Sequence, residues 1–334
     1  IALSEFDLTL ASNLRAEFGV SGFMPEEVAK FRDKTVMKEA ILAAGIRAPF
    51  FAKLDDTIAL ESLIGGEKFP LMVKPKDGAA SVGCHIIRSR KEFDILCDSI
   101  VDSGYQCEEF IDGHIFHVDG LISDGNIKFI TASRYINNCF LFSKGKPLGS
   151  ILLENSELKS SLLDFSKKVL GALELRNGAF HLEVIRDDNG FCFLEIGARV
   201  GGGEIPFLTR DLFGIDMFEE WVRIEFGLGV SSAVTGKQEY NECGGFLMLP
   251  EPVGKRLVAR KSLAGCVSGL YQEVLPPVGQ VFDGEGGYEA ILGRFRYRGY
   301  DESRVLVAIE ETLRLYDYTL QDIPSSTLTP ELSN

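Results

Sequence analysis

Ala179-Phe180-His181-Leu182-Glu183-Val184-Ile185 and Phe191-Cys192-Phe193-Leu194-Glu195-Ile196-Gly197, joined by Arg186-Asp187-Asp188-Asn189-Gly190, form the stretch that decides the reading of this chain. Apolar residues dominate both arms and an Asn-Gly lies between them, which predicts a β-hairpin over 179–185 and 191–196. A three-residue loop, Asp188 to Gly190 with Gly190 at positive φ, puts Glu183 directly opposite Glu195 on one face. Like charges opposed across a sheet destabilise it. Their flanks are apolar, so these carboxylates are expected to be partly buried and to need a counter-charge, and paired oxygens suit Mg²⁺ bridging to phosphates. Two other arrangements stay open: pairing with a nearby Arg or Lys, or a two-residue turn that sends the carboxylates to opposite faces. His181, on the face of Glu183, fits a structural histidine satisfied by its neighbours better than a ligand.

The strand does not end in an ordinary turn. Glu195-Ile196-Gly197-Ala198-Arg199-Val200-Gly201-Gly202-Gly203 places an Arg four residues after the carboxylate and three glycines after that. A guanidinium offers a planar fork to carboxylate or phosphate oxygens, and glycines let a ligand approach the backbone; a strand-to-helix loop with a surface Arg is the plainer alternative. Upstream, Phe69-Pro70-Leu71-Met72-Val73-Lys74-Pro75 reads as a short dense strand. It leads into Asp77-Gly78-Ala79-Ala80-Ser81-Val82-Gly83 and a second strand over 84–87. Small residues leave backbone N–H groups free to cradle a phosphate, with Lys74 and Lys76 just upstream; a flexible hairpin tip explains the loop equally simply. Neither a Walker A loop nor a G-x-G-x-x-G occurs anywhere in the chain. Cys107-Glu108-Glu109-Phe110-Ile111-Asp112-Gly113 is a strand end that offers a purine free backbone groups and a carboxylate for its amino group, or is simply a solvated acidic edge.

Composition bounds the partners. The 334 residues carry 35 Lys and Arg against 49 Asp and Glu, a formal charge of −14. Bulk attraction to nucleic acid or an anionic membrane is therefore not expected, since both carry the same sign. No run of 18 uncharged apolar residues occurs, so no membrane-spanning helix is expected. Seven scattered cysteines, with no C-x-x-C, argue against a disulfide framework or zinc site and for a reducing, cytoplasmic setting.

The remaining periodicities predict helices over 5–18, 26–44, 91–101, 158–173, 217–226 and 303–316, and strands over 105–111, 115–122, 127–133 and 149–153. Strands and helices in uneven order, with several hairpins, give an α+β chain rather than a doubly wound one. Ile1-Ala2-Leu3 reads as the stub of a strand without neighbours, so residues are expected to precede Ile1 in the whole protein, and a tail over 325–334 is expected to be disordered.

Taken in order, these features resemble the ATP-grasp superfamily and, within it, the carboxylate–amine ligases typified by L-amino acid ligases. The matching pieces are Arg32-Asp33-Lys34-x-x-x-Met37-Lys38 with Ala44-Gly45-Ile46, the Lys74 strand with its loop, and Glu108-Glu109-Phe110-Ile111-x-Gly113. His117-Val118-Asp119-Gly120, His181-Leu182-Glu183 and Glu195-x-x-x-Arg199-x-Gly201-Gly202 complete them, so that the resemblance covers roughly residues 1–226.

The resemblance implies an α+β ATP-grasp fold, two subdomains gripping a nucleotide. Residues 1–46 would be the end of a Rossmann-like domain and a linker helix, 47–111 the lid and 112–334 the core. It implies that Lys34 and Lys74 bind ATP phosphates under a loop formed by Gly78, Ser81, Val82 and Gly83. Glu108 would meet the adenine amino group, with Glu109, Phe110 and Ile111 supplying backbone contacts. Glu183 and Glu195 would hold Mg²⁺, or Mn²⁺ in its place, and Arg199 would face the transferring phosphoryl group. It further implies an ADP-forming ligase acting on a small carboxylate and an amine, both expected to be amino acids, and a homodimer. Other readings are an ATP-grasp enzyme with a bicarbonate, thiol or carrier-bound acceptor, or a nucleotide-binding module without turnover. Two positions depart from the family's pattern: Ile115 stands where a ribose-binding Glu is common, leaving Asp112, His117 or Asp119 as substitutes, and Gly197 stands where an Asn often completes the metal shell.

Overall fold

The computed structural model describes residues 1–65, 69–100, 104–235, 243–286 and 290–323. In chain order the first elements are α1 (Leu8–Phe18), α2 (Pro25–Arg32), α3 (Lys34–Ala43), β1 (Phe51–Lys53), α4 (Thr57–Ile64), β2 (Leu71–Pro75), β3 (His85–Ile87), α5 (Arg90–Ser99) and β4 (Tyr105–Glu109). They are followed by β5 (His114–Ser123), β6 (Asn126–Asn137), α6 (Cys139–Phe142), β7 (Leu148–Leu152), α7 (Glu157–Leu173), β8 (Gly178–Asp187), β9 (Gly190–Gly197), α8 (Ile205–Phe213) and α9 (Met217–Glu225). The last are α10 (Ser232–Thr235), β10 (Cys243–Leu249), β11 (Lys255–Arg260), β12 (Leu270–Val274), β13 (Val281–Phe282), β14 (Gly293–Gly299), α11 (Glu302–Leu315) and β15 (Tyr318–Asp322). The chain divides into two compact units, one of residues 1–132, 155–201 and 216–236, the other of 133–154, 202–215 and 237–334.

The first unit holds two sheets. In the smaller, β1, β4, β2 and β3 lie in that order, every pair antiparallel. Alternation sorts its residues cleanly. Leu71, Val73, Ala52 and Cys107 face a core shared with Leu63, Ile64, Ile87 and Phe93. The in-between residues Lys74, Gln106 and Glu108 therefore fall on the other face. In the larger sheet of this unit, β6, β5, β8 and β9 lie side by side. Behind its inner face sit Phe180, Leu182 and Val118, all fully buried. Gly120 is required there, because a Cβ would come within 2.5 Å of the Phe180 ring and of the Phe129 carbonyl.

The second unit places β12, β14, β10, β7 and the end of β6 in one sheet, with α11 against β10 and β14. A three-stranded sheet, β13-β11-β15, adjoins the C-terminal part of the chain. A tightly compensated charge cluster lies in this unit. Arg296 bonds Glu204 (3.2 Å) and Asp211, and its guanidinium lies over the rings of Phe207 and Tyr271.

Three expectations change. Residues 26–44 are not one helix but two: Asp33 is extended, ends α2 and caps α3 by accepting from the N–H groups of Thr35 and Val36. Ile1 to Leu3 form no strand, and the segment continues into a short 3₁₀ turn at Glu5–Asp7 and then α1. The hairpin turn is tighter than read, since Asp187 pairs with Gly190 across only Asp188 and Asn189. The end of the predicted helix at Val101 and the tail over 325–334 lie outside the described residues.

Candidate functional site

The hairpin brings Glu183 opposite Glu195, as expected, but by another route. The two-residue turn alone would pair Glu183 with Leu194 and turn Glu195 to the far face. A bulge between Glu183 and Val184 leaves Leu194 unpaired and restores the match. On the neighbouring strand β5, His117 lies opposite Glu183 and Asp119 opposite His181. Two rungs therefore cross three strands on one face: His117, Glu183 and Glu195, then Asp119, His181 and Gly197.

Asp119 is almost fully buried and splits its carboxylate between the rings, Oδ2 at 2.6 Å from His117 Nδ1 and Oδ1 at 2.8 Å from His181 Nδ1. Burial alone would raise its pKa, but the two histidines hold it well below the usual carboxylate range. Burial pulls the His181 imidazole down, yet the Asp119 carboxylate outweighs it and lifts the ring to about 9. His181 Nε2 lies 3.5 Å from Glu183 Oε1.

Facing this array is a second shared carboxylate. Glu108 is 2% exposed, and its Oε1 lies 2.7 Å from Lys74 Nζ while Oε2 pairs with Lys38 Nζ. Gln106 Nε2 adds a bond at 3.2 Å. Burial opposes ionisation of Glu108, and the two ammonium groups reverse it, so its pKa falls. Lys38, with no exposed surface, is pushed down to about 8 by burial against the pull of Glu108, and its ammonium sits 5.4 Å from the Phe51 ring centre. Lys74 keeps a raised pKa, since Glu108 outweighs its burial.

Lys34 joins the two halves of the site. Its ammonium donates to the Gly78 carbonyl and lies 3.4 Å from Glu195 Oε2. Burial would raise the Glu195 pKa, whereas Lys34, Lys74 and Arg199 bring it to about 2, so the carboxylate is ionised at neutral pH. The loop of 77–83 follows from β2 with Ala80 and Ser81 both at positive φ, an uncommon conformation for residues with a Cβ. Gly83, at φ 71°, has no room for a side chain, because a Cβ would lie 2.9 Å from the Tyr105 hydroxyl. Arg32 donates to the Asp77 carbonyl at 2.8 Å and further fixes the loop's start.

Arg199 is held by Glu5, Nε to Oε2 at 2.6 Å, and Glu5 Oε1 also pairs with Arg32 at 2.7 Å. Gly197 lies close beside Arg199, and a Cβ there would stand 3.2 Å from Arg199 Cγ. Glu5, Arg32, Lys34, His181, Glu195 and Arg199 line one small cavity.

Of the residues singled out from sequence, Lys34, Lys74, Glu108, Glu183, Glu195 and Arg199 thus converge on linked contacts, with the loop of Gly78, Ser81, Val82 and Gly83 tied to Lys34. His117 stands in the first rung, bonded to Asp119. Glu109 is exposed; its N–H donates to the Phe50 carbonyl, and Phe110 and Ile111 follow just beyond the end of β4. Sequence reasoning gave no role to Lys38, Gln106 or Glu5. For Lys38 a signal existed, since it lies one helical turn after Lys34 and shares its face. For Glu5 none did, as its partner is 194 positions away.

The donor chemistry suits a divalent cation with a nucleotide: two in-register carboxylates supply hard oxygens, and Lys34, Lys74 and Arg199 supply positive charge. Among the described residues no helix is long and apolar enough to cross a membrane, and none of the seven cysteines is in a disulfide.

Comparison with known proteins agrees with this architecture. Residues 67–206 match the ATP-grasp domain family. The chain is 27% identical over 237 residues to an L-arginine-specific L-amino acid ligase of Bacillus subtilis, covering 67% of this chain and 56% of that protein. It is 26% identical over 201 residues to dapdiamide A synthase of Enterobacter agglomerans, covering 55% and 46%. The chain thus spans about half the length of the curated relatives it matches. The crystal structure of an L-amino acid ligase from Bacillus licheniformis superposes with a TM-score of 0.78 at 18% identity, over 96% of this chain and 80% of that one, which is a likeness of fold. Residues 67–206 of the chain thus form an ATP-grasp domain.

Proposed function

We propose that this chain is the nucleotide-binding and catalytic part of an ADP-forming carboxylate–amine ligase that joins amino acids. The observation that carries the proposal is the convergence of Glu183 and Glu195, in register on adjacent strands, with Lys34 3.4 Å from Glu195. Likeness to an amino acid ligase and to dapdiamide A synthase supports the substrate class.

Lys34 and Lys74 bind ATP phosphates, and the loop of Gly78 to Gly83 covers them. Glu108, ionised and pinned between Lys38 and Lys74, accepts from the adenine amino group, with backbone contacts from 109–111 and the ribose near His117. Glu183 and Glu195 hold Mg²⁺, which neutralises phosphate charge when bound. Arg199 orients the carboxylate and faces the phosphoryl group passing to it, so positive charge already stands where negative charge spreads. Transfer of that phosphoryl group from ATP forms an acyl phosphate and releases ADP; the amine then attacks the acyl carbon, phosphate leaves, and the amine's surplus proton passes to solvent. Residues 47–111 act as the lid over this site, and 112–334 as the core that supplies the carboxylates. Cysteines outside any disulfide suit a cytoplasmic setting.

The test is phosphate release from ATP and Mg²⁺ by the full-length protein across the standard amino acids, singly and in pairs. Release that requires a particular pair is the expected result and names both substrates. ATP binding without release for any pair overturns the amino-acid assignment.

A further inference from the structure

The guanidinium of Arg199 is held at two points and open at a third. It has five N–H donors, one on Nε and two on each Nη. Nε donates to Glu5 Oε2 at 2.6 Å, and Nη1 donates to the Val200 carbonyl at 2.9 Å. Neither contact uses Nη2. Glu5 opens the 3₁₀ turn before α1, and Ser4 caps that turn by accepting from the Phe6 N–H at 3.3 Å. The second oxygen of Glu5 lies 2.7 Å from Arg32 Nη1, a contact of opposite charges without hydrogen-bond alignment. Arg32 is anchored twice more: Nη2 donates to the Asp77 carbonyl at 2.8 Å, and the guanidinium lies 5.6 Å from the centre of the Phe6 ring. The side chains of Glu5 and Arg32 are each 13% exposed, so water screens their charges less than it would at the surface. Linked contacts therefore run from Asp77, where the phosphate loop begins, through Arg32 and Glu5 to Arg199.

We propose that Glu5 is a positioning residue, which aims Arg199 at the phosphoryl group, and that Arg32 fixes this aim relative to the loop of 77–83. The proposal rests on the reading above that Arg199 faces that group. A planar cation stabilises developing charge only where its N–H groups point, and a misplacement of about 1 Å can cost about 100-fold in rate. Glu5 supplies the aim from the Nε side and leaves Nη2 to a ligand. A carboxylate on a substrate-binding arginine can also be a plug, which stands where the substrate's carboxylate binds and leaves to admit it. The geometry favours positioning: Glu5 occupies Nε alone, and its departure would break the contact with Arg32 as well.

The experiment is titration calorimetry of the full-length protein with ADP and Mg²⁺, with and without aluminium fluoride, which takes the place and planar shape of a phosphoryl group in transit. The readout is the gain in ADP affinity that the fluoride gives. Glu5→Gln keeps the size of the side chain, but its amide has one oxygen to offer two guanidinium groups and turns a donor toward the other. In that variant the gain is expected to be about 10- to 100-fold smaller than in the wild type, while affinity for ADP alone stays within about threefold. Damage to the fold would lower both. Arg32→Gln is expected to reduce the gain in the same direction and to add little to Glu5→Gln, because the two side chains act in series. It also decides the matter should Glu5→Gln not fold. An equal gain in folded Glu5→Gln, or in Arg32→Gln where only that variant folds, overturns the proposal, and a larger gain in Glu5→Gln overturns it in favour of the plug. A wild type that binds no ADP, or binds it without any gain from the fluoride, instead overturns the reading on which the proposal rests.

Discussion

Two carboxylates in the first unit solve the same problem with different partners. Glu108 and Asp119 are both almost fully buried, and each gives one oxygen to one base and the other oxygen to a second. Glu108 divides itself between two lysines, from α3 and from β2, and the trio keeps a surplus positive charge. Asp119 divides itself between two histidines, one on its own strand and one on the next, and takes Nδ1 of each ring as its partner. The lysine trio thus offers charge to an anion, whereas the histidine trio balances its own charge and holds two rings in place. A buried acid takes its function from its bases.

That contrast can be broken at the acids. Glu108→Gln leaves two buried ammonium groups sharing a neutral amide, and loss of one partner of a buried pair costs about 3–5 kcal/mol. Chemical denaturation of this variant is expected to show a loss in that range, the largest of the set. A loss below about 1 kcal/mol would mean that the lysines reach water once the charge is gone. Asp119→Asn keeps one acceptor, and His181 can shed the proton that the carboxylate holds on it, so a smaller loss of about 1–3 kcal/mol is expected by the same measurement. Nucleotide affinity should meanwhile stay within about threefold of wild type, about 0.7 kcal/mol. An Asp119→Asn variant that loses nucleotide but not stability would place Asp119 on the nucleotide instead.

The same pair explains how far the sequence could be read. The histidine trio was accessible in principle: Asp119 and His117 are two residues apart, and His181 follows from strand pairing, because alternation and register are local rules. The facing of Glu183 and Glu195 was read correctly, although the turn was not, because a bulge has no reliable signature in one sequence and here offset a one-residue error. The lysine trio was half legible. Lys74 and Glu108 stood out within dense strands, but the contact of Lys38 with Glu108 spans 70 positions and depends on how α3 packs. Splitting of the predicted 26–44 helix had the same origin, since Asp33 within an apolar-periodic run reads as a solvated residue until its side chain is seen capping the next helix. Glu5, whose carboxylate joins Arg32 to Arg199, lay beyond any pattern.

Central to the account is that these cations meet the phosphates of ATP. Lys74→Met tests it most directly, because Lys38 continues to pair with Glu108 and the fold should hold. Titration calorimetry with ATP and Mg²⁺ is expected to show binding by the wild type and affinity about 10- to 100-fold weaker in the variant, a loss of about 1.4–2.8 kcal/mol. Equal affinity in the two folded proteins, or no ATP binding by the wild type, would contradict it.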